Sequence, residues 1–400
     1  MISVEEARGI IMAEVGIAVR EGMFFPPEEA IGRNLMEDLF SGEFYPRSDV
    51  SAVDGYAVGS VDGPWTIVGE LMAGQVATEA LRAGEAVRIN TGAQVPKDTV
   101  AVLMQEHCTR DGERIEHAKG AFNNGANIRR KGESVKPGDR LLAKGSVLSP
   151  AAIGLLASCG VYEVMVAQDP TVSIIRTGGE FLEEGETHEG SIHSSNEKML
   201  LAALNATGID ATDDVHLVFD EEEELSEALL AAAGKTDVVI TTGGASVGDH
   251  DLLLPVLKKL KATVHFHGVA QKPGKPMFFA TLNGRHIFGL PGNPRAALVL
   301  FYEYVLPFLL AMRHRADPYM RSERLPIGTA LTVKGDRAEF RAARVSSGRV
   351  ELLADEGSHM LRTLVEADAL AYLPTSQRAC KAGDLVEVHY LPQSGTPILR

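Results

Sequence analysis

The chain has 400 residues, more than one hydrophobic core usually organises, so two to four domains are expected. Its 45% hydrophobic and 23% charged content, with a mean hydropathy near zero, describes a soluble globular protein and excludes a disordered chain. A formal charge of −15 without a basic, aromatic-interleaved run argues against nucleic acid as a partner, and no stretch reaches the roughly 20 uninterrupted apolar residues of a membrane span, so no membrane association is expected.

The chain starts Met-Ile-Ser-Val-Glu-Glu, acidic where a secretory signal would be basic and then apolar, so a cytoplasmic location is expected. Ser3 and Glu6 have capping-box spacing, and the first 40 or so residues read as helical. Residues 44–139 then change to short β-type runs punctuated by Gly, Pro and Asp, and helical spacing returns over 147–159. That pattern predicts a discontinuous helical domain, 1–43 plus 133–168, into which a β-rich domain of 44–132 is inserted. Cys108, Cys159 and Cys380 are scattered and form no Cys-x-x-Cys pair, which argues against a disulfide framework or a thiolate zinc site.

From residue 170 the grammar is strand, Gly-rich loop, helix: a β-branched run at 171–176, a turn at 177–179 and helical spacing at 195–204. It repeats as a strand at 215–219, an acidic helix at 221–233 and a strand at 237–241 entering the loop 242–248. This predicts a parallel sheet covered by helices over 169–314, with ligands at the carboxyl ends of its strands. A helix runs from Asn293 to about 313, Asp317-Pro318 breaks the chain, and alternating strands from 325 predict a small β domain over 315–400. The expected fold class is α/β multidomain: a central parallel-sheet α/β domain, a β-rich inserted domain and a small C-terminal β domain.

Several polar motifs carry chemistry. Gly243-Gly244-Ala245-Ser246-Val247-Gly248 follows a predicted strand, and its glycines let backbone amides approach an anion, although the same pattern also makes an ordinary tight turn. Asp249 and Asp251 come next and suit either a divalent cation or helix capping. Lys272-Pro273-Gly274-Lys275-Pro276 places two cations on a stiffened turn, suited to a pyrophosphate or oxyanion. Pro291-Gly292-Asn293-Pro294 is a second rigid turn, and it opens a helix. The amino-terminal half contributes Ser51-Ala-Val-Asp54-Gly55-Tyr56-Ala-Val58, Thr91-Gly92-Ala93 and the basic loop Asn127-Ile128-Arg129-Arg130-Lys131-Gly132-Glu133. Polar motifs on both sides of the domain break suggest one site assembled from more than one domain or subunit.

The ordered set SAVDGYAV, RINTGAQVP with VLMQEH, NIRRKGE, TGGE, SSN, TTGGASVGDHD, KPGKP and GLPGNP resembles the molybdopterin molybdenumtransferases over roughly residues 7–310. The resemblance implies a molybdopterin-binding-like central domain in an elongated, four-domain homodimer. Its active site would lie between the α/β domain of one subunit and the β-rich domain of the other. The substrates implied are adenylylated molybdopterin and molybdate, with release of AMP and help from magnesium or another divalent cation. A molybdopterin adenylyltransferase is the upstream partner implied. Catalytic positions carried across are Asp54, Glu180, Asp220, Asp251 and Lys272. Substrate-binding positions are Thr91, Arg129, Gly243, Gly244, Ser246, Lys275, Pro291 and Pro294, and the metal set is Glu180, Asp249 and Asp251.

The chain departs from the family pattern at Gly179 and Ser194, where Asp is usual, at Ser134 after Gly-Glu, and at Arg295-Ala296 after Pro294. Gly268 stands where Lys is common, and a Lys there is expected to add a useful cation beside Lys272 and Lys275. These departures leave a second reading open, a catalytically weakened or non-enzymatic paralogue acting as a scaffold.

Overall fold

The computed structural model describes residues 1–18, 22–118, 122–182, 189, 191–209, 214–219, 221–244, 252–354, 357 and 359–392. Its central sheet has six strands in the order Val215–Val218, Val172–Thr177, Val238–Thr242, Arg285–Leu290, Phe278–Leu282 and Thr263–His267. The first four are parallel, as expected from the repeated strand-loop-helix grammar. The last two run antiparallel, a feature the sequence reading did not include. Its signal was Asn283-Gly284, whose positive φ angles of 51° and 76° close a two-residue hairpin between Leu282 and Arg285.

Both faces of this sheet are buried, which is why its strands read as continuous apolar runs. Successive side chains alternate: Ile174 and Ile240 pack with Leu200 and Leu204 of the helix Asn196–Ala206, whereas Ile175 and Val239 pack with Leu225 and Leu229 of Glu222–Lys235. The first face also receives the long helix Pro294–Met312, which is apolar enough to cross a membrane by composition but is 94% buried inside the protein.

The expected helix over the first 40 residues is much shorter. The capping box is present, with Glu6 N–H donating to Ser3 Oγ at 3.1 Å and Ser3 N–H to Glu6 Oε2 at 2.7 Å, but the helix covers Val4–Ala18 alone. Its Val4, Ala7 and Ile11 join the central core. The described chain resumes as the strand Gly22–Phe25, and Pro26-Pro27 leads only into the short 3-10 turn Pro27–Ala30. Gly22–Phe25 pairs with Val164–Ala167, and Leu39–Phe40 with Arg140–Leu142.

A second six-stranded sheet takes its strands from between Gly55 and His117, with Gly55–Val58 between Ala101–Met104 and Glu85–Ile89. The third sheet lies near the carboxyl end and includes Ala338–Ser346, Ala369–Leu373 and Leu385–Tyr390. Its outer strand is Gln271–Lys272, paired in parallel with Ala338–Ser346, so the Lys-rich turn sits on the seam between central and C-terminal units. A buried cluster also spans that seam: Glu303, 1% exposed, takes an ion pair from Arg8 of the first helix and a 2.8 Å contact from His389 Nδ1.

Candidate active site

In the β-rich sheet, Asp54 and Thr91 meet. Asp54 Oδ1 accepts the Thr91 backbone N–H at 2.7 Å and its hydroxyl at 2.9 Å, and these bonds hold the carboxyl below its ordinary pKa. Gly55 follows because a Cβ there would strike the Leu103 carbonyl of the neighbouring strand. The basic loop packs beside them: Ala52 N–H donates to Asn127 O at 2.9 Å, and Ile128–Arg129 pairs with Val50–Ser51. Arg130 is bound to Asp49 at 2.7 Å and Lys131 lies 4.5 Å from the Phe44 ring, so two of its three cations have structural partners. Arg129 is exposed and has no such partner among the described residues.

At the carboxyl edge of the central sheet, contacts link several motifs into a ring. The Arg176 guanidinium lies 3.7 Å from Glu197 and stacks 4.3 Å from the Phe181 ring. Next to Glu197, Asn196 donates its Nδ2 to Gly292 O at 2.9 Å. A Cβ on Gly292 would lie 3.9 Å from the Gly243 Cα, and one on Gly243 would lie 2.7 Å from Thr177 Oγ1. Thr177 follows Arg176 in the chain and closes the ring. Gly243 and Gly244 have φ of 89° and 59°, so the turn depends on glycine both for its angles and for the approach to Thr177.

Among the described residues, four polar atoms at this edge are buried without a hydrogen-bond partner: Thr177 Oγ1, Thr241 Oγ1, Thr242 Oγ1 and Asn196 Oδ1. Leaving such groups unpaired costs about 1–3 kcal/mol each, a cost a polar ligand offsets by supplying partners. Pro291 is buried and Pro294 half-buried beside them, with Pro294 opening the long helix. Glu180 is exposed one residue beyond Gly179, its carboxylate turned back toward Gly178.

The Lys-rich turn is built from the inside. Gln271 is fully buried, donates to Pro273 O at 2.8 Å and accepts from the Tyr304 hydroxyl, while Gly274, φ 95°, packs where a Cβ would meet Leu300. Lys272 and Lys275 are left exposed, with Lys272 Nζ 3.9 Å from Glu339.

Three departures from the family pattern have physical explanations. Ser194 donates to Glu197, a carboxylate one turn further on, so negative charge remains at this edge after the loss of Asp. Gly268 has φ 86°, its N–H donates to Met277 O at 2.7 Å, and a Cβ there would lie 3.1 Å from Met1 Cγ. The expectation that Lys at 268 would simply add a cation therefore fails on backbone grounds. Arg295 is fully buried and reaches Gly357 O at 3.5 Å, facing the C-terminal unit.

Among the expected site residues, Asp220, Ser246, Asp249 and Asp251 lie outside the described residues. The described ones form two groups, Asp54 with Thr91 and Arg129, and Glu180, Gly243, Gly244, Pro291 and Pro294 at the strand ends, with Lys272 and Lys275 on the seam. No hydrogen bond or ion pair joins described residues of 44–132 to described residues of 169–314. No trio of His, Cys, Asp and Glu suited to a metal occurs among the described residues, and Glu180 is the one described member of the expected set. Sequence reasoning missed Arg176 and Glu197; the available signal was an arginine ending the apolar run 171–176.

Residues 2–160 match the family described as the MoeA N-terminal region (domain I and II), residues 173–311 the probable molybdopterin binding domain, and residues 324–391 the MoeA C-terminal region (domain IV). A molybdopterin molybdenumtransferase of Haemophilus influenzae is 33% identical, covering 97% of this chain and 98% of its own. One from Staphylococcus aureus strain COL is 32% identical, covering 90% and 89%. The crystal structure of the molybdopterin biosynthesis moeA protein from Pyrococcus horikoshii OT3 is similar with a TM-score of 0.82 and 28% identity, over 98% of this chain and 100% of that one. Matching relatives over nearly the whole length, with the motifs gathered at strand ends and seam, show that the chain belongs to the molybdopterin molybdenumtransferase family.

Proposed function

We propose that this protein transfers molybdenum from molybdate into adenylylated molybdopterin and releases AMP, a step of molybdenum cofactor biosynthesis. The observation that carries the reading is the row of buried, unpartnered Thr177, Thr241, Thr242 and Asn196 polar atoms within the region matching a molybdopterin-binding domain. Fixed donors and acceptors at strand ends bind a polar, multiply charged substrate without reorganising, and that is the main source of electrostatic catalysis. Lys272 and Lys275 supply positive charge from a turn whose backbone is fixed by buried Gln271. Asp54, ionised and aimed by Thr91, acts from the β-rich unit. We assign that unit's contribution to the second subunit of a homodimer, because the described residues of the two motif groups make no hydrogen bond with each other. A cytoplasmic location fits the composition and charge.

The test is AMP release from adenylylated molybdopterin in the presence of molybdate, with magnesium supplied because the carboxylates expected to hold a cation include Glu180, Asp249 and Asp251. Release that depends on molybdate is the expected result. No release under these conditions, from a folded protein, would overturn the reading.

A further inference from the structure

We infer that Arg176 is a specificity-determining residue that binds a tetrahedral oxyanion of the substrate, an inference that rests on the reaction proposed above. Arg176 ends the strand Val172–Thr177 on the face where Val172 and Ile174 enter the core, so its side chain lies under the helix Asn196–Ala206 and beside the Pro291-Gly292 turn. Only 14% of that side chain is exposed. Among the described residues its Nε is buried without a partner, and so is Asn196 Oδ1 at the start of that helix.

A guanidinium presents five donors in a planar fork and is satisfied by paired oxygens. Among the described residues Glu197 is the one carboxylate paired with it, at 3.7 Å, too long for a well-formed hydrogen bond, and Glu197 also accepts from Ser194. Phe181 holds the guanidinium plane from one side at 4.3 Å. The side chain is thus preorganised with donor capacity to spare. A phosphate or molybdate oxygen reaching Arg176 beside Asn196 and Gly292 would accept from Nε. In an acidic protein such a local cation also discriminates, since it is matched by an anion and penalised by a neutral group.

The bland alternative is a brace, an arginine that only ties strand to helix through Glu197. The two roles separate by sign. Binding of AMP and, separately, of molybdate is measured by calorimetry on the full chain at low and high salt, alongside thermal unfolding. Arg176→Ala should weaken at least one anion by about tenfold or more and flatten its salt dependence. Arg176→Lys should recover part of the affinity, as charge without the fork. Glu197→Gln should bind as tightly as the natural chain or tighter, because the competing carboxylate charge is gone. Loss confined to AMP identifies the oxyanion as the substrate's phosphate, and loss confined to molybdate identifies it as the metal oxyanion. Equal binding by Arg176→Ala and the natural chain, no binding of either anion by the natural chain, or joint loss of affinity and thermal stability in Arg176→Ala and Glu197→Gln would overturn the inference. AMP release by the natural chain is followed in parallel: its absence sinks the proposed reaction, whereas unchanged anion affinity in Arg176→Ala sinks only the role of Arg176.

Discussion

Thr91 gives Asp54 both of its hydrogens, backbone and hydroxyl, onto the same carboxylate oxygen, at 2.7 and 2.9 Å. The other oxygen has no partner among the described residues, so the pair fixes one lone-pair direction and leaves the second oxygen for another molecule or subunit. This arrangement joins two motifs 37 residues apart, each singled out in the sequence on its own but with no local signal that the two side chains meet.

Thr91→Val should therefore lower AMP release about tenfold, the scale of a lost hydrogen bond to a charged group, and leave the melting temperature nearly unchanged because the pair is exposed. Thr91→Ser keeps the hydroxyl and should restore most of the rate. Steady-state AMP release decides the matter: equal rates in Thr91→Val and the natural chain would remove the hydroxyl from the mechanism.

The Arg8, Glu303 and His389 cluster makes stability depend on pH. Burial alone would depress His389, but the Glu303 carboxylate outweighs it and raises the pKa to about 9. A raised folded value means the contribution is complete below the unfolded value of roughly 6.5 and is lost as pH rises toward 9. Melting temperature should accordingly fall between pH 6.5 and 9, and His389→Phe should flatten that fall. Glu303→Gln should cost about 3–5 kcal/mol, because it leaves the largely buried Arg8 without its carboxylate and removes the charge that keeps His389 protonated. Denaturant unfolding showing Glu303→Gln within 1 kcal/mol of the natural chain, as a rough threshold set by that range, would contradict this account.

The inner parallel strands Val172–Thr177 and Val238–Thr242 were legible because both faces are buried, which writes a run rich in β-branched residues, and the glycine turns were legible because positive φ leaves few other choices. What failed was judged from local pattern alone. Helical spacing over residues 22–42 was contradicted by Pro26-Pro27 and by pairing with strands more than 100 residues away, which no local window registers. Arg176 and Glu197 were missed for a related reason: they lie 21 residues apart, and only the fold brings strand end and helix start together. The cluster of Arg8, Glu303 and His389 spans nearly the whole chain and leaves no spacing signal at all.

Gly268 illustrates the opposite error, a position judged by the charge it lacks. Its φ of 86° and the 3.1 Å approach of a Cβ to Met1 make any side chain costly there. Gly268→Lys should destabilise the protein by about 1–2 kcal/mol, as a non-glycine residue forced into the left-handed region. It should also disturb the bond from Ile2 N–H to Gly268 O, at 3.1 Å, and so loosen the first helix. Thermal unfolding and molybdate binding measured together check this. A variant that binds molybdate more tightly at unchanged stability would restore the charge argument.

The last expectation concerns the two motif groups. Asp54, Thr91 and Arg129 lie in the β-rich unit beside its main sheet, and the Gly243-Gly244 turn lies at the edge of the central sheet, with no hydrogen bond between described residues of the two units. If one site uses both groups, the partner subunit has to bring the second, and each dimer then holds two composite sites. A chain carrying Asp54→Ala and a chain carrying Gly243→Val should each be inactive alone. The first loses an aimed carboxylate, and the second places a β-branched side chain at φ 89° against Thr177. In a mixed dimer one site collects both lesions and the other collects none, so mixing the two inactive proteins under conditions of subunit exchange should return AMP release. Random exchange makes half of the dimers mixed, each with one intact site, so about a quarter of the natural activity is the expected ceiling for a symmetric homodimer. Recovery near that level would place the two groups on different subunits. No recovery, with exchange demonstrated by differently tagged chains, would require the site to be completed within one chain and would remove the dimeric assignment.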